Sequence, residues 1–117
     1  MQKIKTDKPW GYEILWAKTD KYVGKIIKIN SNHRLSLQLH EHKTETVYVN
    51  EGILELILYQ GEDLYSLKLQ KGDSYHIPPR TVHRFCCPKE SPFVELVEVS
   101  TPELDDVVRL EDDFGRV

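Results

Sequence analysis

The stretch Arg34-Leu35-Ser36-Leu37-Gln38-Leu39-His40-Glu41-His42 decides the fold class. Leu35, Leu37 and Leu39 alternate with Ser36, Gln38 and His40, the strict period of two of a half-buried β-strand. Successive side chains of a strand point to opposite faces. One face therefore packs, and the other carries Arg34, Ser36, Gln38, His40 and His42. Such a row is either a solvated face or the wall of a site.

The same short, alternating, β-branched texture continues on both sides. It predicts strands at Tyr12–Ala17, Tyr22–Ile29, Arg34–His42, Glu45–Asn50, Ile53–Gln60, Leu64–Gln70, Ser74–Ile77, Thr81–Cys87, Phe93–Ser100 and Val107–Leu110. The breaks carry turn chemistry: Asn30-Ser31-Asn32, Asn50-Glu51-Gly52, Gln60-Gly61-Glu62-Asp63, Lys71-Gly72-Asp73 and Pro78-Pro79. Helical periodicity is weak throughout. Many short strands in one small chain imply an all-β sandwich or barrel, with a jelly roll among the options.

With 117 residues, the chain has the size of one domain, 1–117, able to bury a core without staples. The 39% hydrophobic and 30% charged composition is that of a soluble globular protein. No apolar run approaches the ~20 residues of a membrane span. Met1-Gln2-Lys3-Ile4-Lys5 has no apolar signal region, so a cytoplasmic location is expected. A net charge of −3 argues against a nucleic-acid partner. Lys and Arg nevertheless outnumber Asp and Glu by four within residues 1–50, which leaves room for a basic pocket that takes a small anion. The adjacent Cys86 and Cys87 offer no CxxC spacing and read as reduced thiols.

Glu45 follows His40 by five residues, past a turn at Glu41-His42-Lys43-Thr44, so the two side chains can converge. A second block runs Gly72-Asp73-Ser74-Tyr75-His76-Ile77-Pro78-Pro79-Arg80-Thr81-Val82-His83. Together these resemble the two sequence blocks of the cupin superfamily, which fold as a jelly-roll β-barrel. The first cupin block has the form G-x5-H-x-H-x3–4-E-x6-G. Counted back from Glu45 and Gly52, it places the first ligand pair at Gln38 and His40 and its opening glycine at Asn32. The second block fits through Gly72, Pro78 and His83. It departs at Arg80, where the family has glycine, and at Cys87, where it has asparagine.

A closer likeness runs almost end to end. Lys8-Pro9-Trp10-Gly11-Tyr12-Glu13, the 34–42 stretch, Thr81-Val82-His83-Arg84 and Asp105-Asp106-Val107-Val108-Arg109-Leu110-Glu111-Asp112-Asp113-Phe114-Gly115-Arg116 resemble the type II mannose-6-phosphate isomerase domain. In bifunctional bacterial enzymes that domain follows a guanylyltransferase. The resemblance implies one divalent metal ion (Zn, Mn, Fe, Co or Ni) held by Gln38, His40, Glu45 and His83. Two imidazoles, a carboxylate and an amide oxygen suit such a borderline ion. It further implies aldose–ketose isomerisation of a hexose phosphate, most specifically mannose 6-phosphate, in nucleotide-sugar or polysaccharide synthesis. A non-catalytic sugar- or anion-binding cupin and a different metal-dependent cupin enzyme, such as a dioxygenase, are the alternatives.

Isomerisation needs a polarised carbonyl, a proton carrier at C1–C2 and a grip on the phosphate. His42, on the expected inward row, is the first candidate for the base, and Arg34 is the inward cation. Ser36, Lys43, Arg80 and Arg84 are the expected substrate contacts, chiefly to phosphate. His33, in the Asn-rich turn, reads as exposed, and His76 as a packing or surface residue. A homodimer is expected, because a jelly roll leaves sheet edges to be covered and the Trp10–Trp16 segment is rich in large apolar groups.

Overall fold

The computed structural model describes residues 2–117; Met1 of the amino-terminal stretch lies outside them. Eleven strands follow in order. They are β1 (Ile4–Lys8), β2 (Gly11–Lys18), β3 (Val23–Asn30), β4 (Leu37–Leu39), β5 (Glu45–Glu51) and β6 (Ile53–Gln60). The chain continues through β7 (Asp63–Gln70), β8 (Ser74–Ile77), β9 (His83–Cys86), β10 (Phe93–Ser100) and β11 (Val108–Glu111). No helix of the described residues is long and apolar enough to cross a membrane.

The strands form two antiparallel sheets in the manner of a cupin jelly roll. The six-stranded sheet has the order β1-β2-β3-β10-β5-β8, and the five-stranded sheet β11-β4-β9-β6-β7. Neither sheet closes on itself, so the expected closed barrel is replaced by two open, facing sheets. Alternation builds the core between them. Val47 and Val49 of β5, Leu54, Leu56 and Leu58 of β6, and Val94 and Leu96 of β10 point inward as one buried cluster with Trp10, Ile29 and Phe85. Trp10 is thus a core residue, whereas Trp16 stays 38% exposed.

The expected 34–42 strand shortens to Leu37–Leu39, and the reason lies in its register. Gln38 pairs with His83, yet the isolated bridge upstream joins Arg34 to Cys86. Between those pairings the chain advances four residues on one side and three on the other. A slip of one residue moves a side chain to the opposite face. Arg34 consequently leaves the face of Ser36, Gln38 and His40.

Both cupin positions at which this chain lacks glycine adopt the conformation that glycine favours. Asn32 and Arg80 each have φ of 60°. Asparagine tolerates that left-handed region; arginine is strained there. Gly52 shows what the region can require: its φ is +83°, and a Cβ would stand 2.1 Å from the Phe93 carbonyl oxygen. Arg80→Gly is therefore expected to stabilise the fold. Releasing ~1–2 kcal/mol of strain outweighs ~0.4–1 kcal/mol of added unfolded-chain entropy. A denaturant melt should show a net gain of roughly 0.5–1 kcal/mol, and an unchanged or lower midpoint would count against the strain.

Candidate metal centre

His40 ends the alternating run, Glu45 opens β5, and His83 opens β9. His83 is in register with Gln38 on β4 within the five-stranded sheet, and Glu45 faces them from β5 of the six-stranded sheet. His40, Glu45 and His83 are buried together, and one ligand atom from each lies within 4.8 Å of the others. Glu45 Oε1 stands 3.5 Å from His40 Nε2 and 3.1 Å from His83 Nε2.

The tautomers decide what these contacts mean. The His40 Nδ1–H donates to the Asp106 carbonyl oxygen at 2.6 Å, and the His83 Nδ1–H to the Thr81 carbonyl oxygen at 2.8 Å. A carbonyl only accepts, so in each neutral ring Nε2 carries the lone pair. His40 Nε2, His83 Nε2 and Glu45 Oε1 are all buried without a hydrogen-bond partner. Three lone-pair atoms facing one another in a buried site repel unless a cation joins them. Ligand atoms bound to one ion at about 2.1 Å sit about 3–3.5 Å apart, which the observed separations match. Imidazoles oriented by backbone carbonyls are also the usual outer shell of a metal site. His40, Glu45 and His83 thus form a divalent-metal site.

Asp106 sets the local backbone. Its carboxylate accepts the amide protons of Glu41, His42 and Lys43 at 3.0, 2.7 and 2.9 Å. These bonds, led by those from His42 and Lys43, hold its carboxyl down at about 2. Asp106 of the tail motif therefore shapes the turn between two ligands and fixes the ring of one. The turn also ends the alternation. His42 is exposed and does not line the cavity, whereas Lys43 turns in.

A cavity of about 470 Å³ opens onto His40 and Glu45, with His83 fully buried behind them. That size suits a small organic ligand. Ser36, Gln38 and Lys43 line it. Ser36 Oγ donates to Gln38 Oε1 at 2.9 Å, which leaves that oxygen a second lone pair.

Arg34, Arg80 and Arg84 lie elsewhere. Arg34 binds Asp113 at 2.7 and 2.9 Å, and Arg84 binds Asp113 at 3.1 Å and the Leu35 carbonyl at 2.8 Å. Arg84 follows His83 directly, so it points to the outer face, where the pair clamps the C-terminal segment. Arg80 is exposed and reaches the Glu41 carbonyl at 3.4 Å. His76 is exposed, while His33 is half-buried and stacked on Phe114. Cys86 and Cys87 are free and buried; burial pushes the Cys86 thiol up to about 11.

Sequence reasoning missed Glu98. It follows Val94 and Leu96 on the inward face of β10 and is 5% exposed. A carboxylate at an apolar-face position of a strand was the available signal. Lys43 Nζ lies 3.7 Å from Glu98 Oε1 and 3.3 Å from Glu45 Oε2. Burial, aided by the Glu45 charge and opposed by Lys43, pushes the Glu98 carboxyl up to about 8. Burial raises Glu45 too, but where no ion joins the three groups, Nε2–H donation from His40 and His83 and the Lys43 charge hold it well below the usual carboxylate range.

Comparison with known proteins agrees with this construction. The family described as "Mannose-6-phosphate isomerase C-terminal" matches residues 1–112. The xanthan biosynthesis protein XanB of Xanthomonas campestris pv. campestris is 34% identical over 115 residues, covering 96% of this chain and 24% of that protein. The alginate biosynthesis protein AlgA of Pseudomonas aeruginosa is 32% identical over 112 residues, covering 93% of this chain and 22% of that protein. The chain thus spans under a quarter of the length of these curated relatives. Among solved structures, KdgF from Halomonas sp. superposes with a TM-score of 0.75 at 21% identity, over 87% of this chain and 90% of that one. CapF from Staphylococcus aureus gives 0.81 at 14% identity, over 94% and 34%. These two likenesses establish the fold. On the family match and the site together, the chain belongs to the mannose-6-phosphate isomerase C-terminal family of metal-binding cupins.

Proposed function

We propose that the chain is a metal-dependent aldose–ketose isomerase of a hexose phosphate, interconverting mannose 6-phosphate and fructose 6-phosphate. The observation that carries this reading is the buried His40–Glu45–His83 triad at the wall of a cavity that also holds a proton-carrying pair, Lys43 and Glu98. The polysaccharide-synthesis names of XanB and AlgA support a role in supplying activated sugars. A cytoplasmic location and a homodimer fit the same reading. Ile4, 55% exposed on the β1 edge strand, is apolar surface that a second copy would cover.

His40, Glu45 and His83 would hold the ion, with Gln38 Oε1 as a fourth, weaker ligand oriented by Ser36. When bound, the ion polarises the open-chain carbonyl as a Lewis acid. Glu98 takes the place expected for His42 as the group that moves the proton between C1 and C2. A carboxyl tuned toward neutral pH can both accept and return a proton. Lys43 holds Glu98 in place and balances the negative charge shared with Glu45. Trp10, Ile27 and Phe85 add apolar lining that helps exclude bulk water from the cavity.

The test is turnover of mannose 6-phosphate by the chain loaded with each candidate divalent ion in turn. Fructose 6-phosphate should form with at least one ion and cease on chelation. A metal-loaded chain that binds the sugar phosphate and converts none of it would be a binding protein instead.

A further inference from the structure

The cavity contains buried polar atoms of two kinds that lack partners. His40 Nε2 and Glu45 Oε1, with His83 Nε2 behind them, are acceptors and call for a cation. Arg109 Nε and Trp10 Nε1 are donors only. Both of these residues line the same cavity. A buried, unpaired N–H costs about 1–3 kcal/mol, so two of them in one cavity point to a ligand rich in oxygen acceptors.

Arg109 also differs from the other cations of that cavity. Lys8 and Lys25 face Glu13 at 4.0 and 3.4 Å. Lys43 sits between Glu45 and Glu98. Arg116 holds Asp112 through two bonds of 2.8 Å. Among the described residues, Arg109 has no such carboxylate partner, and its positive charge is left to the cavity.

Strand register fixes where that charge lies relative to the metal site. Arg109 on β11 pairs with Gln38 on β4, and Gln38 pairs with His83 on β9. Residues directly opposite in a sheet share a face, so His83, Gln38 and Arg109 form one inward row. Two inter-strand steps separate the backbone of Arg109 from that of His83 by roughly 10 Å. The register shifts just after Arg109, where Leu110 is bulged, a feature that re-aims side chains beside functional sites.

We propose that Arg109 is the phosphate anchor of this cavity, with the Trp10 indole N–H donating to an oxygen of the same ligand. The identification of that ligand as a hexose phosphate rests on the function proposed above. A six-carbon sugar phosphate carries its carbonyl and its phosphate at opposite ends, as the metal triad and Arg109 lie at opposite ends of the row. The anchor takes the role that Arg34, Arg80 and Arg84 were expected to fill from sequence.

The test uses the metal-loaded chain and mannitol 6-phosphate, which keeps the carbon chain and phosphate but has no carbonyl to isomerise. Calorimetry should show that Arg109→Gln weakens its binding by about 10- to 100-fold, the scale of a lost charge-assisted contact. Mannitol, which lacks the phosphate, should bind both proteins alike, and metal content should not change. Arg109→Lys keeps the charge and the apolar stem but loses the planar fork; it should lose about 3- to 10-fold and answers if the glutamine variant fails to fold. Trp10→Phe should lose about 3- to 10-fold by removing one neutral donor.

Equal binding of mannitol 6-phosphate by wild type and the Arg109 variants would overturn the proposal. So would a wild-type chain that binds neither mannitol 6-phosphate nor inorganic phosphate. Arg109-dependent binding without any turnover of mannose 6-phosphate would sink the isomerase reading and leave the anchor standing. Turnover that is indifferent to Arg109 substitution would do the reverse.

Discussion

Replacing His83 by alanine is expected to strip the metal from the protein. His83 is fully buried, its Nδ1–H is fixed on the Thr81 carbonyl, and its Nε2 has no hydrogen-bond partner within the protein. Loss of an outer-shell contact alone typically costs about 10–100-fold in metal affinity, so loss of a direct ligand should exceed about 100-fold. His40→Ala should behave the same way. Asp106→Ala should fall in the outer-shell range, because it frees the 41–43 turn that docks the Asp106 backbone carbonyl against His40. His33→Ala, His42→Ala and His76→Ala should retain the ion. Elemental analysis after metal loading and desalting reads all of these. A His83→Ala protein that keeps one tightly held ion would refute the ligand set, as would a His42→Ala protein that loses it.

Glu98→Gln is expected to keep the metal and slow isomerisation by ~10²- to 10⁴-fold, the usual scale for a general acid–base group. The same variant carries a stability signature. In the folded, metal-free chain the Glu98 carboxyl titrates at about 8, against an ordinary 4.5. Between those values the folded state binds more protons than the unfolded state, so stability falls as pH rises. Glu45 contributes no slope in that window. Its folded value is below 4.5, so it is ionised in both states there. Melting temperatures of the metal-free protein should therefore decline from about pH 5 to pH 8 in the wild type, and less so in Glu98→Gln. Equal slopes would show that Glu98 does not hold its proton in the fold. Wild-type turnover in Glu98→Gln would return the search for the base to the other cavity residues.

The metal ligands were legible because each obeys a short-range rule. His40 ends an alternation with leucines, Glu45 follows a turn, and His83 follows the Pro78-Pro79 turn and the β-branched Thr81-Val82. The strands from 45 to 100 were legible for the same reason, with bounds that shift by only a residue or two. β1 was not, since Ile4-Lys5-Thr6-Asp7-Lys8 is a mostly exposed edge strand held by its pairing with β2 and carries little apolar pattern.

Arg34 and His42 failed at the two ends of the deciding stretch, and each failure has a distant cause. A one-residue slip against β9 turns Arg34 outward. The Asp106 carboxylate, more than sixty residues along the chain, captures the backbone at 41–43 and turns His42 to solvent. Arg109 was hidden differently: its value depends on pairing with Gln38 across the sheet, which no local pattern records. Glu98 was visible as an acid in an apolar alternation and was passed over because its strand was read only for packing.

The central claim is that this cavity moves a proton between C1 and C2 of a hexose phosphate with help from a metal held by His40, Glu45 and His83. Proton NMR of mannose 6-phosphate incubated with the metal-loaded chain in D₂O tests it most directly. The expected spectrum shows fructose 6-phosphate appearing with deuterium at C1, or at C2 of the recovered aldose, and neither change in the His83→Ala protein. Mannose 6-phosphate that stays unconverted and undeuterated in the presence of the fully metal-loaded wild type would contradict the claim.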